Sequence, residues 1–399
     1  MLTRAPHAKR PRTFGGTQKN PARERAATRE RVAPHPLRFG PNLYIAHTQP
    51  GFEAIAADEI ATRVGGAREI TRRGVPDRAG MTIFFAPAAH KLAALRTVED
   101  LFGLAGYRAG LAQEIQSLEK IRAASREAPL VEHALQARVK VSPGARAGRR
   151  LKFRVIARMA GEHEFRRVDF QRAVERGIVE RADHTWRLEE GEEAEVEFWA
   201  TMIESEFFLT VRLSDDRMRH REYKAAHRPA SLRASSAAAL AWVSEPRDDD
   251  VVLDPFCGAG TILIERAHLG KYAMLLGSDR DQAALAAART NVGARYKPIQ
   301  LQNWDAAAIP LADASVSKII TNLPWGIRYG SHGENRKLYP EWFREFTRVL
   351  KSGGTMVLLT AEWRLMRDLE RGRKIAPPSK ITRASILGTP ASIYLIKRP

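Results

Sequence analysis

The stretch Val251-Val252-Leu253-Asp254-Pro255-Phe256-Cys257-Gly258-Ala259-Gly260-Thr261 decides the reading of the C-terminal half of this chain. Three apolar residues form a buried strand, and an acid ends it. Two glycines then allow a tight turn and close approach of a ligand to the backbone. Thr261 opens a helix. A Gly-x-Gly alone is a weak signal, but here it sits at the first crossover of an α/β unit. The spacing predicts further alternation on either side. A helix over Ser231–Val243 precedes the stretch. Helix Thr261–His268, strand Ala273–Gly277, helix Asp281–Val292, strand Ile299–Gln302, strand Val316–Thr321, helix Leu338–Leu350 and strand Thr355–Thr360 follow it. Such alternation implies a doubly wound parallel sheet. Two last strands, Ile381–Leu387 and Ser392–Ile396, flank Gly388-Thr389-Pro390 and predict an antiparallel hairpin at one edge.

The second informative stretch is Asn322-Leu323-Pro324-Trp325, followed by Gly326. It ends the apolar run that starts at Val316 and reads as the turn at a strand tip. An amide, a rigid proline and an aromatic there suit the holding of a flat base and the polarisation of its exocyclic amine. A plain turn with a core tryptophan is the competing reading. Asp279 lies 19 residues after Gly260, at the tip of the next strand. A carboxylate at that place can accept from both hydroxyls of a ribose. The chain lacks Gly-x-x-x-x-Gly-Lys-Ser/Thr, so a phosphate-cradling loop is not expected. An NAD-type loop needs a third glycine where Leu263 stands, which argues against a nicotinamide cofactor.

Together these phrases resemble class I methyltransferases that act on exocyclic amino groups of nucleobases. Their signature is Asn/Asp-Pro-Pro-aromatic. The Asn-Leu-Pro-Trp-Gly form is most similar to tRNA guanine-N2 methyltransferases that carry a THUMP domain. The resemblance implies S-adenosyl-L-methionine as cofactor. Asp254, Phe256, Gly258, Gly260 and Thr261 would form its loop, Asp279 would take the ribose, and Asp305 would accept from the adenine amine. Leu232, in the segment before the loop, would line the methionine end. Trp304 or Arg280 would pack on the adenine. Asn322, Leu323, Pro324 and Trp325 would be the catalytic set. The Asn322 side-chain oxygen and the Leu323 carbonyl would accept the two amine N–H groups, Pro324 would rigidify the turn, and Trp325 would stack on the base. Leu323 replaces the usual proline, a change that keeps the main-chain carbonyl. Arg328, Tyr329 and the loop Ser331–Lys337 are further candidates for substrate contact.

Upstream, residues 1–38 carry Pro, Gly, Thr and Arg with almost no aliphatic pattern and read as a basic disordered tail. Residues 39–110 predict an α+β unit: strand Leu43–Thr48, helix Glu53–Val64, strand Met81–Phe85, a helix over Ala88–Leu95 and a strand at Asp100–Leu104. Residues 111–225 predict a second one, with a helix at Leu111–Ala124, strands at Ala137–Val141, Lys152–Ala157, Glu195–Thr201 and Phe207–Leu213, and a helix at Phe170–Arg181. The phrases Leu151–Val155, Phe165–Asp169 and Arg221–Tyr223 resemble a THUMP domain behind a ferredoxin-like domain. That resemblance implies a grip on the acceptor stem and 3′ end of tRNA. Arg146, Arg149, Arg150, Lys152, Arg154, Arg166 and Arg167 are the candidate phosphate contacts, and a solvated loop and strand face is the alternative for each. The acidic stretch Glu189–Glu197 is expected on the opposite side. Residues 226–399 would be the methyltransferase domain.

Composition bounds the rest. The 399 residues carry a formal charge of +19, distributed as +8 in residues 1–38, +2 in 39–225 and +9 in 226–399. A basic tail and a basic C-terminal half fit a polyphosphate partner, because neutralised phosphates release counterions. One cysteine, Cys257, excludes an internal disulfide and a multi-cysteine zinc site. It also disfavours ring-carbon methylation, which needs a thiolate nucleophile. No apolar run of transmembrane length is present, and the basic N-terminus without an apolar stretch is not expected to be a secretory signal. The expectation is a cytoplasmic, monomeric RNA methyltransferase of α/β class, with a C-terminal Rossmann-like sheet, an N-terminal ferredoxin-like plus THUMP module, no metal and no membrane partner. Its expected product is N2-methylguanosine in tRNA, at the sixth nucleotide of the acceptor stem. The rivals are a ribosomal RNA guanine-N2 enzyme, an N6-adenine enzyme, and an RNA-binding factor with a vestigial cofactor fold.

Overall fold

The computed structural model describes residues 37–399 except 76–78, 149, 182–184, 190, 192, 229–230 and 327–330. The tail read at 1–38 falls outside the described residues up to position 36, as do Arg149, Arg328 and Tyr329. Within residues 39–399 two sheets organise the chain.

The first sheet has eight strands in the order β2-β3-β1-β4-β8-β7-β5-β6. They are β1 (Leu43–Thr48), β2 (Arg68–Val75), β3 (Ala79–Phe85), β4 (Asp100–Arg108), β5 (Lys152–Ala160), β6 (Arg187–Leu188), β7 (Val196–Ile203) and β8 (Glu206–Arg212). Helix α1 (Glu53–Arg63) links β1 to β2, and a 3₁₀ turn at Ala89–Ala94 links β3 to β4. Helices α2 (Ser117–Arg126), α3 (Val131–Val141) and α4 (Arg167–Val179) cover the far half. Strand β4 pairs antiparallel with both β1 and β8, so residues 39–110 and 111–225 share one continuous sheet.

Two local expectations differ from what forms, and further elements form where none was expected. Ala137–Val141 is the end of α3, not a strand. The short Ala-Arg-Val-Lys-Val alternation is overridden by the helical spacing of Val131, Ala134, Leu135 and Val141, all buried. The helix expected at Leu111–Ala124 begins only at Ser117. Strand β2 lacks an apolar alternation because it is an edge strand rich in Arg. Helix α9 (Trp363–Arg371) was likewise unanticipated, its apolar contacts being only Leu365, Met366 and Leu369.

The second sheet has seven strands in the order β11-β10-β9-β12-β13-β15-β14. These are β9 (Val251–Asp254), β10 (Met274–Ser278), β11 (Ile299–Gln302), β12 (Val316–Asn322), β13 (Leu350–Thr360), β14 (Lys380–Ile386) and β15 (Thr389–Lys397). The first five are parallel, and β15 runs antiparallel between β13 and β14. Helices α5 (Ala234–Val243), α6 (Thr261–Ala267), α7 (Gln282–Val292), α8 (His332–Val349) and α9 flank it. This is the doubly wound sheet expected of the C-terminal half, with its antiparallel edge. The strand order reverses between β9 and β12, the switch point where such sheets bind ligands beyond their carboxyl ends. Among the described residues no helix is long and apolar enough to cross a membrane.

The two sheets are locked together through buried polar contacts. Glu265 of α6 is fully buried and accepts from the Arg96 guanidinium at 2.6 and 3.0 Å and from the Tyr223 hydroxyl at 2.7 Å. Arg233 donates to Glu99 at 2.8 Å, and Gln49 donates to Ser236 at 2.6 Å. Phe52 and Ile55, beside and within α1, pack into the same apolar cluster as Leu240 and Leu263.

Gly277 shows how tightly the loop side of the second sheet is built. A Cβ there would lie 2.6 Å from Leu263 Cδ1, 2.8 Å from Leu301 Cδ2 and 3.2 Å from Cys257 Cβ. Gly277→Ala is therefore expected to destabilise the protein by about 1–3 kcal/mol through overpacking. Thermal or urea unfolding of the two proteins side by side measures it.

Candidate active site

The site grows from the ends of β9, β10 and β12. Asp254 closes β9 and is buried. Its Oδ1 accepts from the Thr321 hydroxyl at 2.6 Å and from the Phe256 amide at 3.2 Å. Its Oδ2 is buried without a hydrogen-bond partner. Burial pushes the carboxyl up to about 7, and the nearby Asp279 charge adds to this. Two neighbouring hydroxyls, Thr261 Oγ1 and Ser278 Oγ, are also buried and unpartnered. Buried polar atoms normally find partners. Three orphans around one loop are what a polar small molecule would satisfy.

The loop itself is cut for close approach. Gly258 has φ +51° and a Cβ there would meet nothing within 4 Å, so its face is open. Gly260, at φ +76°, is the residue before α6, and a Cβ would press on Ala288 at 3.4 Å. Asp279 sits just past β10 and is half-buried. Its two oxygens accept from the amides of Gly258 and Asp281 at 3.0 and 2.9 Å. A carboxylate offers about four lone-pair sites, so two remain for hydroxyl donors. Asn303 donates to the Asp279 carbonyl at 2.8 Å and ties the loop after β11 to it. Asp305 is exposed on that loop and accepts from the Ala307 amide at 2.9 Å. Trp304 is half-buried against the core under α8, and Arg280 is exposed. Leu232 is buried in one cluster with Cys257 and Leu359, against which Trp325 also packs. Burial pushes the Cys257 thiol well above its usual range, which suits a packing residue and not a nucleophile.

The tetrapeptide is fixed at every residue. Asn322 ends β12, and its Oδ1 accepts from the Trp325 indole N–H at 3.0 Å. Leu323 buries its side chain and donates its amide to the Leu359 carbonyl at 3.0 Å. The Pro324 carbonyl accepts from Asn335 Nδ2 at 3.0 Å and from the Tyr339 hydroxyl at 2.8 Å. Gly326 has φ +68°, and a Cβ there would lie 2.7 Å from the His332 amide nitrogen. Glu362 in turn accepts from Asn335 Nδ2 at 3.0 Å and pairs with His332 at 2.7 Å, and Tyr339 meets Thr360 at 2.9 Å. Tyr339, Thr360 and Glu362 were not expected from the sequence, and Asn335 only as part of Ser331–Lys337, which is the start of α8 and not a loop. The one available hint was that Asn335 and Tyr339 fall on one helix face, four residues apart. Trp325 is not free at the surface. It is half-buried and engaged with Asn322.

The basic candidates of the N-terminal half lie elsewhere, around β5. The acidic stretch Glu189–Glu197 is not on the opposite side from them, as expected, but beside them. Strands β5 and β7 are parallel neighbours with Arg154 opposite Glu197. Arg154 accordingly donates to Glu197, with Nε at 2.8 Å. Lys152 pairs with Glu193 and with Glu189 at 3.5 Å, and Arg146 lies 3.8 Å from Glu195. Arg166 pairs with Asp169 at 3.0 Å as a helix cap for α4. Arg150 and Arg167 are exposed. Among the described residues no cluster of His, Cys, Asp and Glu could hold a metal.

Residues 221–378 match the sequence model of the UPF0020 family, described as an RMKL-like methyltransferase domain. The tRNA (guanine(6)-N(2))-methyltransferase THUMP3 of Mus musculus is 30% identical over 272 residues, 62% of this chain and 51% of its own. The tRNA (guanine(6)-N2)-methyltransferase of Thermus thermophilus is 32% identical over 218 residues, 54% of this chain and 64% of its own. The crystal structure of TrmN from Thermus thermophilus superposes with TM-score 0.72 at 25% identity, covering 90% of this chain and 99% of that one. The chain is thus similar, over part of its length, to proteins named tRNA guanine-N2 methyltransferases. It spans about half the length of the mammalian relatives it matches. The U6 snRNA (guanine-N(2))-methyltransferase THUMPD2 of Bos taurus is 36% identical over 136 residues, 33% of this chain and 26% of its own.

Asp254 makes a pH test. Its folded-state value of about 7 lies above the roughly 3.9 of an unfolded aspartate. The folded chain thus holds the proton more tightly, and stability falls as pH rises from about 4 to about 7 and is flat above. Asp254→Asn mimics the neutral acid. In ligand-free protein it is expected to match wild type near pH 4 and to be more stable at pH 8, read as the midpoint of thermal unfolding against pH.

Proposed function

We propose that this chain is an S-adenosyl-L-methionine-dependent RNA methyltransferase that forms N2-methylguanosine in tRNA, at the sixth nucleotide of the acceptor stem. The observation that carries the reading is the 2.6 Å hydrogen bond from Thr321 to Asp254. It joins the residue before Asn322 to the acid of the glycine loop, so a base-holding turn and a cofactor loop share one edge. The names of the relatives support guanine N2 as the atom modified. The tRNA relatives span more of this chain than the U6 snRNA relative does, and this favours tRNA.

The orphaned Asp254 Oδ2, Thr261 Oγ1 and Ser278 Oγ, with the open face of Gly258, fit the proposed cofactor. Phe256, Gly258, Gly260 and Thr261 would cradle it, Asp279 would accept from its ribose, Asp305 from its adenine amine, and Leu232 would border its apolar end. When bound, S-adenosylmethionine supplies an electrophilic methyl group on a sulfonium. The protein's task is to make the guanine amine a nucleophile. That nitrogen's lone pair is delocalised into the ring. The Asn322 side-chain oxygen and the Leu323 carbonyl would accept its two N–H groups, draw the nitrogen toward sp³ and free the pair. An amide oxygen has two lone pairs, so Asn322 can keep the Trp325 indole while accepting from the base. Asn335 and Tyr339 hold the Pro324 carbonyl and so fix the turn that aims both acceptors. No strong base is needed, because the ammonium formed is acidic. Positioning dominates.

By the same reading residues 39–110 form a ferredoxin-like domain, 111–225 a THUMP-like domain and 226–399 the methyltransferase domain, acting as a cytoplasmic monomer. Arg150 and Arg167 would reach phosphate first. Lys152 and Arg146 would exchange their carboxylates for it, since exposed ion pairs are worth only about 0–1 kcal/mol, whereas Arg154 would have to leave the part-buried Glu197.

Methyl transfer from labelled cofactor to total tRNA and to ribosomal RNA, with nucleoside mass spectrometry, tests the proposal. N2-methylguanosine in tRNA is the expected product. Asn322→Ala should lower turnover by about 10²–10³-fold, the scale for an oriented hydrogen-bonding group at a reacting centre, with cofactor affinity unchanged. Label on adenine or only in ribosomal RNA would move the enzyme to a different substrate. Absence of cofactor binding would make it an RNA-binding factor.

A further inference from the structure

The carboxyl edge of the parallel sheet carries one surface feature that the reaction outlined above does not use. Strand β13 ends at Thr360, one residue past Leu359, the register partner of Asn322. Helix α9 starts three residues later with Trp363, which is 47% exposed. The Arg364 and Arg367 guanidinium groups lie 4.6 and 5.3 Å from the centre of its ring. Leu365, Met366 and Leu369 bury the other side of the helix, so the outer side is held in place. Spacings of three and four align Arg364, Arg367 and Arg371 in one exposed stripe. Asp368, 3.9 Å from Arg367, flanks it. From Glu362 to Lys374 five basic residues face three acids.

This patch is coupled to the base-holding turn through its neighbour. Glu362 immediately precedes Trp363 and holds Asn335 and His332, and Asn335 holds the Pro324 carbonyl. A surface that grips substrate here would therefore sit beside the reacting base.

We propose that Trp363, Arg364 and Arg367 form an RNA-binding site on the catalytic domain that holds the strand flanking the target nucleotide. The indole stacks on an unpaired base and the guanidinium groups meet the phosphates on either side of it. The proposal rests on the guanine-N2 reading. Its chemistry selects nucleic acid over a protein partner. An arginine held beside an aromatic ring by a cation–π contact can still offer its planar N–H fork to phosphate. An exposed ring beside two cations matches the alternation of bases and phosphates in a single strand. An enzyme that takes a base out of a helix must also hold the strand it opens. The candidates around β5 stand on the first sheet and not on the edge that carries the Asn322 turn, so a contact there would serve another part of the RNA.

Full-length wild type, Trp363→Ala, Trp363→Phe and the double variant Arg364→Gln/Arg367→Gln test it. The readouts are KM and Kd for total tRNA, the slope of log Kd against log salt, kcat, and affinity for S-adenosylmethionine. Trp363→Ala should raise Kd and KM for tRNA about ten-fold, the effect of losing one stacked base. Trp363→Phe should recover most of that. The arginine variant should make the salt slope shallower by about one to two, one for each phosphate contact. Cofactor affinity and the thermal midpoint should stay at wild-type values in all three. Unchanged tRNA affinity and salt slope in both Trp363→Ala and the arginine variant would overturn the proposal, and a protein partner would then be the occupant to seek. If wild type itself forms no methylated guanine, the guanine-N2 reading fails. The tRNA binding comparison would still decide whether the patch grips RNA.

Discussion

The site depends on the parallel pairing of β9 with β12, clasped at its end by the hydrogen bond between Thr321 and Asp254. Register sets Lys318 beside Val252 and Ile319 beside Leu253, so the two strands finish together. From that shared edge one strand releases the glycine loop and the other the Asn322 turn. Neither stretch has a function without the other within reach. The switch point supplies this because neighbouring strands there send their chains to opposite sides, which opens a crevice between them. The clasp is electrostatically loaded. Asp254 sits in a place that disfavours its charge, and a ligand that satisfies Oδ2 would relieve this.

Around that edge the chain spends its polar side chains on rigidity. The Pro324 carbonyl has two donors, and both donors have further partners in Glu362 and Thr360. Glu265 does the equivalent at larger scale. It stands on the helix that springs from the glycine loop and is gripped by Arg96 and Tyr223 from outside the second sheet. A fully buried carboxylate is costly unless paired and hydrogen-bonded. Its worth here lies in fixing the angle between the two sheets, since hydrophobic contact alone is not directional.

The doubly wound sheet was legible because its strands are short apolar runs bounded by glycine or acid, and its helices keep their periodicity. Asp254, Asp279 and Asn322 were legible because each lies at or just past a strand end, and Gly258 and Gly260 because they mark the turn from strand to helix. The N-terminal half was harder. Ala137–Val141 alternates like a strand over five residues, yet the helical spacing over Val131–Val141 buries more. Strand β2 has little apolar content because it is an edge. The acidic stretch was misplaced for a different reason. Opposite charges apart in sequence can be register partners, as Arg154 and Glu197 are, and pairing is not written in either strand alone.

The sequence by itself determined the fold class of residues 226–399 and the family resemblance, because periodicity and turn residues are local properties. Only the tertiary structure decided that residues 39–225 build one continuous sheet, that Trp325 leans on Asn322, that Asn335 and Tyr339 hold Pro324, and that Asp254 Oδ2 is left without a partner. Those depend on which distant side chains meet and on what water is excluded. Burial and long-range pairing exist only once the chain has closed on itself.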